Sequence, residues 1–244
     1  MRLRSIATSW SATAIAVCAS SSMVTASPAG LGQTTLPQDA VQLIEMPGPD
    51  YMRLAQEDAI RDAEGLPARI AVPHEVSYTP STSGTWELIE EDRMMWRLRV
   101  LSPGAVHLNF GFGQFELPSS AELTIYSYDG YDVMLPITAA QNPASGEHWT
   151  RVVHGEEVVI EITVDLDERP FVEDAIELTA INEGYRGMGG GDGATTRGSS
   201  EACNVDVVCP LGDDWWSEIP SVGVYTINGF LTCTGVMINN TNQD

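Results

Sequence analysis

Lysine is absent from the 244 residues, so all 12 basic side chains are arginines, set against 34 aspartates and glutamates and giving a formal net charge of -22. Phosphate backbones and anionic lipid head groups repel such a surface, which argues against nucleic acid and membranes as partners. The same acidity serves solubility in a salt-rich or compositionally biased host. Histidine is scarce: His74, His107, His148 and His154 are the whole supply, and none follows position 154. No apolar run is long enough to span a bilayer; the longest candidate, residues 6–19, is too short. Cysteine occurs four times, at Cys18, Cys203, Cys209 and Cys233.

With 43% hydrophobic and 19% charged residues, the composition is that of a globular protein with room for one or two domains. Arg2 and Arg4 precede the apolar run, and Val24-Thr25-Ala26 offers the small residues signal peptidase needs. Residues 1–26 are therefore expected to be a signal peptide cut between Ala26 and Ser27, which implies export and no membrane attachment afterwards. A lipoprotein reading through Cys18 is disfavoured because Val17 stands where a Gly or Ala would be wanted. Signal removal leaves three cysteines in an oxidising compartment, an odd number. Cys203 and Cys209 could bridge locally, and at least one thiol is then free, bonded to another chain, or waiting for a partner the given sequence lacks. Their spacing without a neighbouring His is poor for zinc, and no metal or cofactor is expected.

Residues 27–49 are rich in small residues, Pro and Gln and read as a tether. Asp50 can cap a helix over 51–64, in which Tyr51, Leu54, Ala55, Ala59, Ile60 and Ala63 recur at helical spacing until Gly65 and Pro67 end it. That face is expected to pack on the chain's own sheet. From Trp86 to Ile181 the apolar period is two. Met94, Trp96, Leu98 and Val100 oppose Arg93, Arg97 and Arg99, a half-buried strand, and Val106, Leu108, Phe110 and Phe112 oppose His107, Asn109, Gly111 and Gly113. Asp129-Gly130 between residues 122–128 and 131–135 is a hairpin signal. Residues 149–153, the alternating Val158, Ile160, Ile162 and Val164, and residues 175–181 supply further strands. About seven short strands at roughly ten-residue spacing predict a β-sandwich or jelly-roll-like module over 50–185. Residues 186–202 form a Gly, Ser and Thr tract that reads as a linker, with no strand-loop-helix context for a phosphate loop.

Hydrolytic chemistry is hard to assemble from this inventory. A serine triad needs a His to take the nucleophile's proton, and the four available read as solvated surface residues. Glu90-Glu91 and Glu156-Glu157 are adjacent pairs whose side chains would point to opposite faces, unlike a glycosidase pair. Asp213-Asp214 beside Trp215-Trp216 reads as a surface turn leading into a partly buried aromatic.

The last stretch is the most specific. Cys203, Asp206, Val207, Val208, Cys209 and Pro210, then Val222, Gly223, Tyr225, Cys233, Gly235, Ile238, Asn239, Asn240 and Thr241, resemble the opening of the mature enzyme in the lysyl endopeptidase family of bacterial trypsin-like serine proteases. Residues 96–105, 112–118, 123–126, 129–130, 146–150 and 158–164 more softly resemble the pro-segments preceding such enzymes. Asn239-Asn240-Thr241, which also matches a glycosylation sequon, belongs to the family motif on this reading.

The resemblance implies a mainly β chain: a pro-domain with one N-terminal helix, then residues 203–244 as the first strands of an incomplete trypsin-like β-barrel. It implies that Cys203, Cys209 and Cys233 pair with later cysteines, and that the complete protein cuts peptide bonds after basic residues. The catalytic His, Asp and Ser would come later, so no catalytic residue is assigned and the chain is expected to be a truncated, inactive precursor. Arg197 and Arg186 are candidate maturation sites. The implied partners are the enzyme domain itself and, for the complete enzyme, peptide or protein substrates. The alternatives are an exported, non-enzymatic β-sandwich with a degenerate protease remnant that binds protein or carbohydrate, and an inhibitor acting in trans on a host protease.

Overall fold

The computed structural model describes residues 27–32, 34, 36–187 and 210–238. In chain order the elements are β1 (Leu43–Glu45), helix α1 (Tyr51–Ala63), β2 (Ala68–Arg69), β3 (Ala71–Tyr78), β4 (Thr85–Glu90), β5 (Arg93–Leu101), β6 (His107–Phe115) and β7 (Glu122–Ser127). They continue as β8 (Ile137–Thr138), β9 (His148–Trp149), β10 (Val153–His154), β11 (Glu157–Asp165), helix α2 (Arg169–Ala175), β12 (Ile176–Gly184), β13 (Val222–Ile227) and β14 (Leu231–Val236).

Period-two patterning builds two sheets around one core. The first has the order β1-β5-β11-β7-β8 with β4 also on β5, and the second the order β10-β6-β12-β3 with β9 also on β6. In the first, Val158, Ile160 and Ile162 stand opposite Val100, Leu98 and Trp96, so their branched and aromatic side chains meet on one face. In the second, Leu108, Phe110 and Phe112 of β6 and Leu178 and Ile181 of β12 enter the same buried cluster. The chain is mainly β, as expected, and neither sheet closes into a barrel.

The other face of β5 departs from the half-buried strand read from the sequence. Arg97 and Met95 are as buried as the apolar row, because residues 27–46 lie across this face. The amides of Ala29 and Gly30 donate to the two oxygens of Glu161 at 2.9 and 2.8 Å. Leu36 donates its amide to Glu87 and accepts from Arg97. β1 runs parallel to β5, Ile44 opposite Val100. The expected tether is thus part of the sandwich: its small residues, Gly30 above all, fit where an added Cβ would strike Glu161, Tyr126 and Arg97. Arg97 is paired with Glu87. Tyr126 donates to Glu161 at 2.9 Å. Burial raises the Glu161 carboxyl above its ordinary range, and its hydrogen bonds with Tyr126, Gly30 and Ala29 pull it back.

Helix α1 begins where expected, with Asp50 accepting from the Arg53 amide at 3.1 Å. Its packing is more polar than the spacing implied. Leu54 and Asp58 are the buried positions, while Tyr51 and Ile60 are exposed. Asp129-Gly130 makes its turn with Gly130 at φ 72, but the returning strand is interrupted. Asp132 turns aside to bind Arg151 at 2.7 Å and the amide of His154 at 2.8 Å. The strand expected over 149–153 is likewise split into β9 and β10, because Thr150 leaves the ladder to exchange hydrogen bonds with Phe110. Several short elements went unread, among them β4, which pairs with β5, β3, an edge strand that tolerates Pro73, and α2, a short helix with Pro170 in its first turn.

Candidate functional site

The outward face of the second sheet is lined by His107, Asn109 and Gly111 of β6, opposite Gly184, Asn182 and Ala180 of β12. The small residues make room for two rings that flank the asparagine pair. An added Cβ at Gly184 would strike the His107 ring, and one at Gly111 the Trp149 ring. The turn between β13 and β14, residues Ile227-Asn228-Gly229-Phe230, is seated on the asparagines. Asn228 and Gly229 have φ of 50 and 72, the positive pair for which Asn-Gly is suited. This turn signal lay in the sequence beside the Asp129-Gly130 one and was not read there.

Asn109 and Asn182 meet the turn directly. Asn182 Nδ2 donates to Asn109 Oδ1 at 2.7 Å and to the Asn228 carbonyl at 3.0 Å, and Asn109 Nδ2 donates to the Gly229 carbonyl at 2.7 Å. Both asparagines are buried. Beyond the turn, the Ile70 amide donates to the Phe230 carbonyl at 2.8 Å, and β2 pairs antiparallel with β14, Arg69 opposite Leu231. The hairpin thus gains a third strand from the sandwich side. Clefts remain beside it, one of about 710 Å3 lined by Pro73, Glu75, Trp149 and Phe230, another of about 450 Å3 lined by Thr150, His154, Val224 and Thr226. Away from the turn the hairpin is open, with Val222, Val224, Tyr225, Val236, Met237 and Ile238 exposed.

Where β12 leaves the sandwich, its exit is tied down. Arg186 Nη2 lies 2.9 Å from Asp58 Oδ2, and its guanidinium stands over the Tyr185 ring at 5.4 Å. Arg69 reaches Asp58 at 3.1 Å and Tyr185 at 3.0 Å. Burial, then the hydrogen bond to Asp58, pushes the Tyr185 phenol up to about 12. His107 Nε2 lies 2.9 Å from the Arg186 carbonyl oxygen, which can only accept, so this nitrogen carries the proton. Burial holds the imidazolium down, to a pKa of about 4.

These contacts correct the reading of the histidines as solvated. Only His154 is largely exposed; His107 is buried against Gly184 and the Arg186 carbonyl, His74 hydrogen-bonds the buried Glu183 at 2.7 Å, and His148 stacks on Phe115 with centroids 4.6 Å apart. His154 Nδ1 does face Asp132 at 2.9 Å, the pairing that orients a triad histidine. Among the described residues no hydroxyl or thiol bonds its other ring nitrogen, and Arg151 shares the Asp132 carboxylate, so the pair braces a corner of the sandwich. Glu156 and Glu157 turn apart, to the Gly104 amide and to Arg99.

Among the sequence-derived sites, Ser27 is exposed at the start of the described residues, and Arg186 is the anchored residue above. Cys233 lies on β14 opposite Tyr225, half-buried and in no disulfide among the described residues. Ala26, Cys203, Cys209, Arg197, the signal-like segment and most of the Gly-rich tract lie outside the described residues. Asp213 and Asp214 sit on a surface turn as expected, but Trp215 and Trp216 are exposed rather than partly buried. Among the described residues no group of three or more His, Cys, Asp or Glu could hold a metal ion, and no helix is long and apolar enough to cross a membrane.

The β-sandwich thus holds a hairpin of the segment that follows it. Family models divide the chain in the same way: lysyl endopeptidase N-terminal domain over residues 43–170, and lysyl endopeptidase C-terminal domain over residues 197–244. The chain belongs to the lysyl endopeptidase family. No solved structure matches it.

Proposed function

We propose that this chain is the exported front part of a trypsin-like serine endopeptidase precursor, in which the sandwich is a pro-domain that helps the enzyme domain fold and keeps it inhibited. One observation supports the reading above all: the hairpin from the region matching the family's C-terminal domain is seated, by its turn and by β2, on the module matching the N-terminal domain. On this reading the open side of the hairpin faces the rest of the enzyme, and Cys203, Cys209 and Cys233 find their disulfide partners there. The enzyme hydrolyses peptide or protein substrates after basic residues, using a nucleophile, a base and an orienting carboxylate supplied by later sequence. The 244-residue segment alone has no peptidase activity. Maturation cuts the chain at Arg197 in preference to Arg186, whose side chain is tied to Asp58.

The test is to express the complete precursor with and without residues 27–187 and to follow hydrolysis of peptide amides carrying Lys or Arg before the scissile bond. The expected result is soluble, activatable enzyme only when the sandwich is present, and inhibition when the sandwich is added back to mature enzyme. Equal yields of active enzyme without it, and no inhibition on adding it, would overturn the reading.

A further inference from the structure

The geometry points to the Asn109–Asn182 pair as a turn-recognition site: the sandwich accepts the enzyme hairpin only once its Asn228-Gly229 turn has formed, and it keeps hold of that hairpin after the linker is cut. This rests on the reading that residues after the linker begin the enzyme domain.

In a tight hairpin turn the central carbonyls point away from the ladder and need partners elsewhere. Here both are received by buried side-chain amides, Asn228 by Asn182 at 3.0 Å and Gly229 by Asn109 at 2.7 Å. The asparagines are themselves joined at 2.7 Å, so neither amide is free to reorient without breaking a second bond. The site also excludes by shape. A Cβ at Gly229 would collide with Asn109 Oδ1 and Asn182 Nδ2, so the pocket admits a glycine in the left-handed region and rejects a side chain.

An unfolded segment cannot present two adjacent carbonyls in this way, which makes the pair selective for a formed hairpin over the same residues unfolded. Ile70 and β2 then add backbone bonds to Phe230 and β14. None of these contacts involves residues 188–209, so a cut there removes the covalent link and leaves the clasp in place.

Hydrogen exchange of the full chain tests this, because the Ile70 amide is protected by the Phe230 carbonyl and reports docking from the sandwich side. Asn182→Ala and Gly229→Ala are each expected to speed Ile70 exchange by about tenfold or more, while the amide of Ile160 in the core keeps its protection. In wild type cut at Arg197, the two fragments are expected to co-elute on gel filtration, and in Gly229→Ala to separate.

Unchanged Ile70 protection in Gly229→Ala, or fragments that separate in cut wild type, would overturn the inference. If Asn182→Ala also loses protection at Ile160, Gly229→Ala decides alone, since it alters only the hairpin. Loss of the clasp with a pro-domain still required for active enzyme would leave the wider reading standing. Enzyme that needs no pro-domain would remove that reading whatever Ile70 does.

Discussion

Arg97 and Glu87 form an ion pair buried beneath the N-terminal segment, with Glu161 directly across the strand from Arg97. Arg97→Ala removes the cation facing both carboxylates, and breaking a buried pair this way costs about 3–5 kcal/mol. Urea unfolding of the full chain should show the loss. A change under about 1 kcal/mol would mean that this face is wetted after all.

Gly30 probes the same cover through space alone. Replacing it with Val puts atoms where Glu161, Tyr126 and Arg97 already stand, so residues 27–34 should lift away. The expected cost is about 2 kcal/mol, read as a lowered Tm together with faster exchange of the Gly30 amide. An unchanged Tm would show that the segment is dispensable.

His107 gives the fold a pH dependence whose direction follows from its environment. Its pKa falls from 6.5 to about 4 on folding, so the unfolded chain binds the proton more tightly. Stability from this residue is complete above about pH 6.5 and is lost as pH falls toward 4, about 3 kcal/mol in all. Measuring unfolding free energy at several pH values for wild type and His107→Gln should show a shallower slope in the variant across that window. Parallel slopes would assign the acid sensitivity to other groups.

Arg186 is shielded by its ion pair with Asp58, so limited digestion by an arginine-specific protease should cut at Arg197 first. Asp58→Ala is expected to raise cutting at Arg186 by about tenfold by removing the carboxylate that holds Arg186. Early cleavage at Arg186 in wild type would show that the exit of β12 opens readily.

The strands were legible wherever one face carried apolar residues in steady alternation, as in β5, β6 and β11. Short-range signals alone could not say what lay on the opposite faces. Arg97 and His107 look solvent-ready in sequence because arginine and histidine usually are. Arg97 is buried because residues 27–46 cover its sheet, and His107 because Gly184 opposite leaves room for its ring while the Arg186 carbonyl accepts its hydrogen bond, contacts between segments remote in sequence. Asn109 illustrates the same limit. Its place on the polar face of β6 was plain, but its role depends on Asn182 opposite and Gly229 above, which only the folded register assembles.

The arginines acquire a further meaning once their partners are known. Among the described residues, Arg53, Arg69, Arg93, Arg97, Arg99, Arg151, Arg169 and Arg186 each lie against a carboxylate, and Arg61 donates to a backbone carbonyl. Those on strands also have their peptide bonds locked in ladders, where an enzyme that cuts after basic residues cannot draw them into its cleft. How long such a sandwich survives beside that enzyme is therefore governed by how often it opens rather than by how many arginines it carries. If the sandwich inhibits as proposed, the lifetime of that inhibition is a kinetic property of the fold, a clock wound by the unfolding barrier.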